Sequence, residues 1–333
     1  MRRGFLAAIP VGGALLVDLE IDAPAAGAIS TGALLAGFVA FDAPPRARFL
    51  WQVLTAPAIG MAAAVGALTG ETAWLAVLTM TLFASVAGLS VAVSPRLSLA
   101  AATVVLALLL AQGLSLNASE ALSALLLGLA GAVSQALFTL LAALHRYTGG
   151  PLDLRAGMRR AARAVQASID TRSPNLRHAL RWGVALGIGT ALYHAIDLGE
   201  HGYWIPLTVL FVLRPTPDET TQRIAMRAVG TLVGLALATP LGELLGQHPI
   251  PDAVAIATAA AFSFALLAIE YALFTTAITA FAVIEAHALG QPALEAADER
   301  ALGTAMGIAV VAAAVFAGRP RRAGPPPAVT PRP

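Results

Sequence analysis

Apolar runs long enough to cross a bilayer recur along this chain from end to end, and they constrain its fold more than anything else in it. A helix crossing hydrocarbon needs about 20 mostly apolar residues, with every backbone N–H and C=O bonded inside the segment. Breaks rich in Pro, Gly and charge, such as DAPPRAR (42–48), SPR (94–96), RPTPDETTQR (214–223) and GQHPIPD (246–252), separate the runs. They predict spans at about 4–18, 25–42, 48–68, 72–92, 97–113, 119–145, 178–196, 203–214, 222–245, 252–269, 271–289 and 301–317. The expected fold is an all-α integral membrane protein with about 12 transmembrane helices. Composition agrees, since 58% of the 333 residues are hydrophobic and 12% charged, with a mean hydropathy of +0.76. A soluble domain is far more polar.

The basic residues test this layout. All 21 are Arg, a usage that reads as GC-rich bacterial coding. With a cytoplasmic N-terminus, Arg46, Arg48, Arg96, the arginines of 146–177, Arg214, Arg223, Arg227 and those of the tail all fall inside. Arg300 alone falls outside. That bias predicts a multi-pass protein of the bacterial inner membrane with both termini in the cytoplasm. The pI of about 9.5 does not point to nucleic acid, because the arginines are scattered between apolar spans.

Two halves are expected. Residues 1–145 form one six-span half, 146–177 a cytoplasmic amphipathic basic linker, 178–318 a second six-span half and 319–333 a disordered cytoplasmic tail. The stretch from Phe38 to Gly60 holds the place in the first half that Val212–Gly234 holds in the second. Each has an aromatic-apolar helix end, prolines, arginines and then a Gly-containing helix. Six spans per half make these parallel repeats, related by an axis along the membrane normal.

The densest signal is His201–Gly234. Thr216, Pro217 and Glu219 supply an N-cap, a first-turn proline and a third-position acid, which together start a helix. Within it Arg223, Arg227, Gly230 and Gly234 share one face. YWIPLTVLFVLRP (203–215) followed by R-x-x-x-R-x-x-G-T-x-x-G (223–234) resembles the signature of the fusaric-acid-resistance-like family. That family is grouped with the aromatic acid exporters and, more distantly, the plant aluminium-activated malate transporters. Many of its members carry a large soluble domain between the membrane halves, where this sequence has only a short linker. The resemblance implies gradient-driven efflux of small organic or aromatic carboxylic acids. A passive anion channel and a non-transporting membrane subunit are the alternatives.

Under that reading the expected partners are the lipid bilayer and a small organic anion, with homo-oligomerisation left open. No cofactor, metal site or enzymatic activity is expected, because cysteine is absent and the sequence holds no Walker loop, HExxH, G-x-S-x-G or GxGxxG. The candidate pathway residues are Arg46, Arg48, Arg214, Arg223, Arg227, Tyr203 and Trp204, with Glu285 for proton coupling. Each has a plainer reading. The arginines at a membrane boundary can be snorkelling anchors, and Tyr203 and Trp204 fit an interfacial aromatic belt better than a stacking site. If the repeats face one another, Arg46 and Arg48 join the other three arginines in one cytoplasmic mouth, and spans 3 and 9 approach near Gly60 and Gly234. Arg227 should then matter to passage more than Arg300.

Overall fold

The computed structural model describes residues 2–21, 24–113, 118–142, 159, 162–167, 173–196, 201–267 and 269–317. Its long helices are α1 (Arg2–Ile21), α2 (Pro24–Phe38), α3 (Pro45–Thr69), α4 (Ala73–Gly88), α5 (Pro95–Gly113) and α6 (Ala121–Leu141), then α7 (Pro174–Ala195), α8 (Trp204–Val212), α9 (Pro217–Leu245), α10 (Pro249–Leu266), α11 (Tyr271–Ala288) and α12 (Ala293–Ala317). No strand occurs among the described residues. The linker expected over 146–177 lies mostly, and the tail over 319–333 wholly, outside them.

Nine of these helices are long and apolar enough to cross a membrane: α1, α3 to α6 and α9 to α12. The α2 helix has 15 residues and α8 only 9, while α7 carries Arg177, His178 and Arg181 near its start. The protein is therefore a multi-pass helical membrane protein. Large apolar side chains such as Leu54, Val86, Leu137, Leu232 and Phe316 are exposed on its outer surface, as they should be where the solvent is lipid.

Local chemistry sets the helix ends. Thr216, in extended backbone, accepts a hydrogen bond from the Glu219 N–H at 3.3 Å, and Pro217 opens α9. Gly246 closes it with φ +66°, a left-handed conformation that costs glycine nothing. Glu270 accepts from the Ala272 N–H at 3.3 Å and so caps α11, which makes the break between α10 and α11 a built one. The α1 helix runs through Pro10.

Packing joins the two halves of the chain closely. In the first, α3 lies along α6 and α5, and α2 along α6 and α1; in the second, α9 lies along α11 and α12, and α8 along α12 and α7. Between them α1 packs on α10, α4 on α7 and α5 on α8. The apolar core follows these pairings. One cluster unites Met80 and Val105 with Trp182, Val209 and Val311, and another unites Val11 and Phe38 with Ile256 and Phe274. The expected meeting of spans 3 and 9 is not what the glycines do. Gly60 sits against α6, where an added Cβ would lie 2.7 Å from the Leu125 carbonyl oxygen, and Gly234 sits against Thr279 of α11. Each stripe of small residues is occupied within its own half.

Candidate functional site: a cationic seam in the C-terminal half

The site is assembled around α8. At 9 residues this helix is about 13 Å long at 1.5 Å per residue, too short for a hydrocarbon core of about 30 Å. It is enclosed by other helices, with Trp204, Ile205, Thr208, Val209 and Val212 all buried. Trp204 and Thr208, one turn apart, share a face. Against that face run Gly303 and Gly307 of α12, where an added Cβ would come within 2.9 Å of the Trp204 Cβ and 2.5 Å of the Thr208 Cβ. On the α9 side, a Cβ on Gly230 or Gly234 would come within 2.7 Å of the Cβ of Thr275 or Thr279 in α11. Glycine is needed at these four positions because the helices touch there.

Close packing delivers two arginines to α8. Arg227 of α9 is 0% exposed, and its Nη2 donates to Thr208 Oγ1 over a long 3.4 Å. Arg300 of α12 is 1% exposed, with its guanidinium carbon 4.9 Å from the centroid of the Trp204 ring. The two are within electrostatic reach of each other and of Tyr271. Neither has a carboxylate partner among the described residues, where the ion pairs are Arg96–Asp42 and His201–Glu299. Both leave Nε and Nη1 buried without a hydrogen-bond acceptor. The hydroxyls of Thr231, Thr275, Thr279 and Thr304 are unpartnered as well, while the Tyr271 hydroxyl lies close enough to Arg227 to accept from it.

Magnitudes make this arrangement notable. An arginine at mid-bilayer costs roughly 2.5–3.5 kcal/mol even on insertion scales. A cation–π contact returns about 2 kcal/mol when desolvated, and here it serves only Arg300. Two like charges buried together, with neutral hydroxyls but no carboxylate among the described residues to accept from them, leave this part of the molecule incomplete as a purely structural element.

A cavity of about 430 Å³ opens at one end of the seam. Arg214, Arg223, Glu219, Gln222 and His178 line it, with Pro95, Ser98 and Leu99 from the first half. Arg223 lies over the Tyr271 ring at 3.9 Å, and Arg227 is one turn, about 6 Å, further along α9. The rim is braced by Arg181, whose Nη2 donates to the carbonyls of Arg214 and Pro215 at 2.7 and 2.9 Å. At the seam's other end His201 pairs with Glu299 at 2.9 Å and stacks on Trp204 with ring centroids 4.5 Å apart.

The structure places the residues singled out in the sequence as follows. Arg46 and Arg48 do not line this cavity; Arg48 is 7% exposed, donates to the Gly37 carbonyl at 3.0 Å and lies over Phe41 at 4.6 Å. It ties the end of α2 to α3. Arg227 is no snorkelling anchor, because its guanidinium does not reach the surface. Tyr203 and Trp204 are 7% and 2% exposed and form no interfacial belt, whereas Trp74 at 66% has the exposure a belt residue needs. Arg300, expected in an outer loop, is inside the bundle because α12 begins at Ala293 and takes in the acidic stretch as its first turns. Glu285 is half-buried, within reach of Asp18 and Tyr203.

One signal would have exposed Arg300. The segments RAVGTLVG (227–234) and RALGTAMG (300–307) share the pattern R-A-x-G-T-x-x-G. In both, the arginine and threonine are buried with unpartnered atoms, and the glycines carry the helix contacts.

The fold and this seam define a class: a polytopic helical membrane protein with unpaired cationic groups inside it. Residues 184–314, which contain the whole seam, match the family model described as fusaric acid resistance protein-like. The chain is also similar to inner membrane protein YccS of Escherichia coli (strain K12), 34% identical over 139 residues, which are 42% of this chain and 19% of YccS. An uncharacterized protein of Synechocystis sp., slr1298, is 34% identical over 112 residues, 34% of this chain and 15% of its own. ORF2 of Neisseria gonorrhoeae, also uncharacterized, is 27% identical over 152 residues, 46% of this chain and 36% of its own. The matched part of this chain thus spans between 15% and 36% of these relatives. No solved structure matches the chain.

Proposed function

We propose that the protein moves small organic anions across the bacterial inner membrane, with carboxylates as its substrate class and efflux as its direction. The observation that carries this reading is the sequence of cations from the cavity inward: Arg214 and Arg223 at its wall, then Arg227 buried with no carboxylate partner among the described residues. A cationic, low-dielectric mouth concentrates anions from solution, and the planar guanidinium fork suits a carboxylate. The similarity of residues 184–314 to fusaric acid resistance proteins supports an acidic substrate.

The reading includes twelve spans in two parallel repeats, with both termini and the 146–177 linker in the cytoplasm. The pairing of helices supports the repeats, since α3–α6, α2–α6 and α1–α2 have counterparts in α9–α12, α8–α12 and α7–α8. The contacts between halves are also reciprocal, α4 with α7 and α10 with α1. The short helices α2 and α8 hold corresponding places, and short helices at such places mark binding sites in repeat-built transporters. Transport is gradient-driven, with Glu285 beside Asp18 as the candidate proton-coupling group.

Reconstitution tests this. Proteoliposomes should accumulate radiolabelled benzoate against its gradient when a proton gradient is imposed, and Arg223→Gln should reduce that rate at least fivefold. Flux that only dissipates a gradient assigns a channel instead. Benzoate movement no faster than in protein-free vesicles, extended to a panel of carboxylates, sinks the transport reading.

A further inference from the structure

We propose that the two R-A-x-G-T-x-x-G segments form one carboxylate site within the membrane, in which Arg227 and Arg300 hold a single carboxylate group between them. This rests on the transport reading and places the substrate's charged group at a point that reading leaves open. α9 and α12 pack on one another and on the same short helix α8. Arg300 reaches α8 at Trp204 and Arg227 reaches it at Thr208, about 6 Å apart along the axis. The guanidinium groups thus converge from different helices onto one face, and each keeps two nitrogen donors free of any protein acceptor.

Burial excludes the ordinary alternatives. Surface arginines lose little by lacking a partner, but these are 0% and 1% exposed. An internal carboxylate would have been the simplest neutralising group. The nearest acid along α12, Glu299, is bonded instead to His201, and among the described residues no carboxylate pairs with either arginine. The hydroxyls of Thr231 and Thr304 are unpartnered groups that can also donate. The guanidinium nitrogens only donate and the hydroxyls can donate, which complements a carboxylate's lone pairs. The Trp204 ring, over which Arg300 lies, is the apolar wall beside the two forks.

Duplication explains the chemistry. One fork binds a carboxylate in two parallel hydrogen bonds, and a second on the opposite side satisfies the remaining lone pairs while excluding water. Among the described residues the first half has no such pair, Arg48 being its one buried arginine. One turn inward from Arg48, α3 carries the neutral Gln52, whose amide donates to the Ala36 carbonyl at 3.0 Å. The anion site therefore belongs to the second half, and Arg300 is a substrate-binding residue equal in rank to Arg227.

The full chain in neutral detergent provides the test. Sodium benzoate should raise its thermal unfolding midpoint along a saturating curve, while neutral benzamide and sodium chloride at equal concentration should not. Arg227→Gln and Arg300→Gln should each weaken the apparent benzoate affinity at least tenfold, and the surface variant Arg96→Gln should leave it unchanged. If Arg300→Gln does not fold, Arg300→Lys takes its place, keeping the charge without the fork, and should weaken affinity at least threefold. An unchanged benzoate curve in the Arg300 variant overturns the site. So does an equal response to benzamide or chloride, or no carboxylate response in the unmodified chain. Flux separates this from the broader reading. Benzoate binding lost in Arg300→Gln, with no transport by the parent protein, keeps the site and sinks the transporter. Normal flux and KM in Arg300→Gln do the reverse.

Discussion

The Arg300 guanidinium carbon stands 4.9 Å from the centre of the Trp204 ring, and that ring is 2% exposed. Trp204 is therefore a wall of the buried seam and a packing residue at once. Trp204→Ala should cost about 3–5 kcal/mol, the usual range for emptying a buried aromatic site, and lower the unfolding midpoint in detergent. Trp204→Phe keeps a ring but loses volume and weakens the cation–π contact, so it should cost less than half as much. Equal losses in the two variants would mean that the ring does nothing for Arg300.

Glycine spacing gives a second expectation, with an internal control. A Cβ on Gly307 would lie 2.5 Å from the Thr208 Cβ and 2.7 Å from the Ile205 carbonyl oxygen, whereas one on Gly13 meets nothing within 4 Å. Gly307→Ala should force α12 away from α8 and cost about 1–3 kcal/mol, as overpacking does. Gly13→Ala should be neutral or raise stability by up to about 1 kcal/mol through helix propensity. Thermal midpoints of the two purified variants decide it, and a tolerated Gly307→Ala would count against the close approach.

The limits of span reading show in these residues. Charge and proline mark helix ends because burying them in lipid is costly, so the breaks at Pro44, Pro95, Thr216 and Glu270 were legible, and Glu270 even proved to be a cap. The same rule misplaced Arg300. Counting arginines treats each as a loop residue, and LEAADER (294–300) looks like a loop by composition, yet it forms the first turns of α12. Trp204 was read as interfacial for a similar reason, since it starts an apolar run. That α8 is short and largely enclosed comes from tertiary packing, which hydropathy along one helix does not encode. The Arg227 and Gly230 face was legible because helical spacing alone defines it, but its neighbour was not: Gly234 meets α11 and not α3.

Asp42 gives a prediction in pH. Its carboxylate is paired with Arg96 at 2.8 Å, and the hydrogen bonds from that guanidinium hold its pKa below the usual aspartate value. A lowered folded-state pKa means that the pair's contribution is present above the unfolded pKa of about 3.9 and is lost as pH falls through the lower folded value. The side chains are 46% and 52% exposed, so solvent screening limits the pair to about 0–1 kcal/mol. Asp42→Asn should therefore lower the midpoint slightly at pH 7 and equally at pH 5. The difference from the parent protein should shrink as pH drops below about 4 and also in 1 M salt. A difference that grows on acidification would contradict the pairing.

Arg300→Glu is the substitution whose expected outcome the structure changes, and Arg227→Glu tests the seam directly. At a membrane boundary it would only reverse an anchoring charge. In the seam it converts two unpaired buried cations into a facing carboxylate and guanidinium, since Arg300 is within electrostatic reach and no acid among the described residues pairs with either arginine. Breaking a buried pair by removing one partner typically costs 3–5 kcal/mol, but here no pair exists to break and a like-charge repulsion is relieved. The variant should fold, insert and unfold no more than about 1 kcal/mol below the parent protein without added anion, and benzoate should no longer stabilise it. Transport should fall to the protein-free rate, because the introduced carboxylate occupies the place of the substrate's own. Arg300→Glu should behave in the same way, contrary to its assignment to an outer loop. A charge-swap pair, Arg227→Glu with Arg300→Glu, buries two carboxylates together and should be far less stable than either single variant; thermal midpoints for the three proteins are the measurement. If the double variant is as stable as the singles, the two side chains do not share a site.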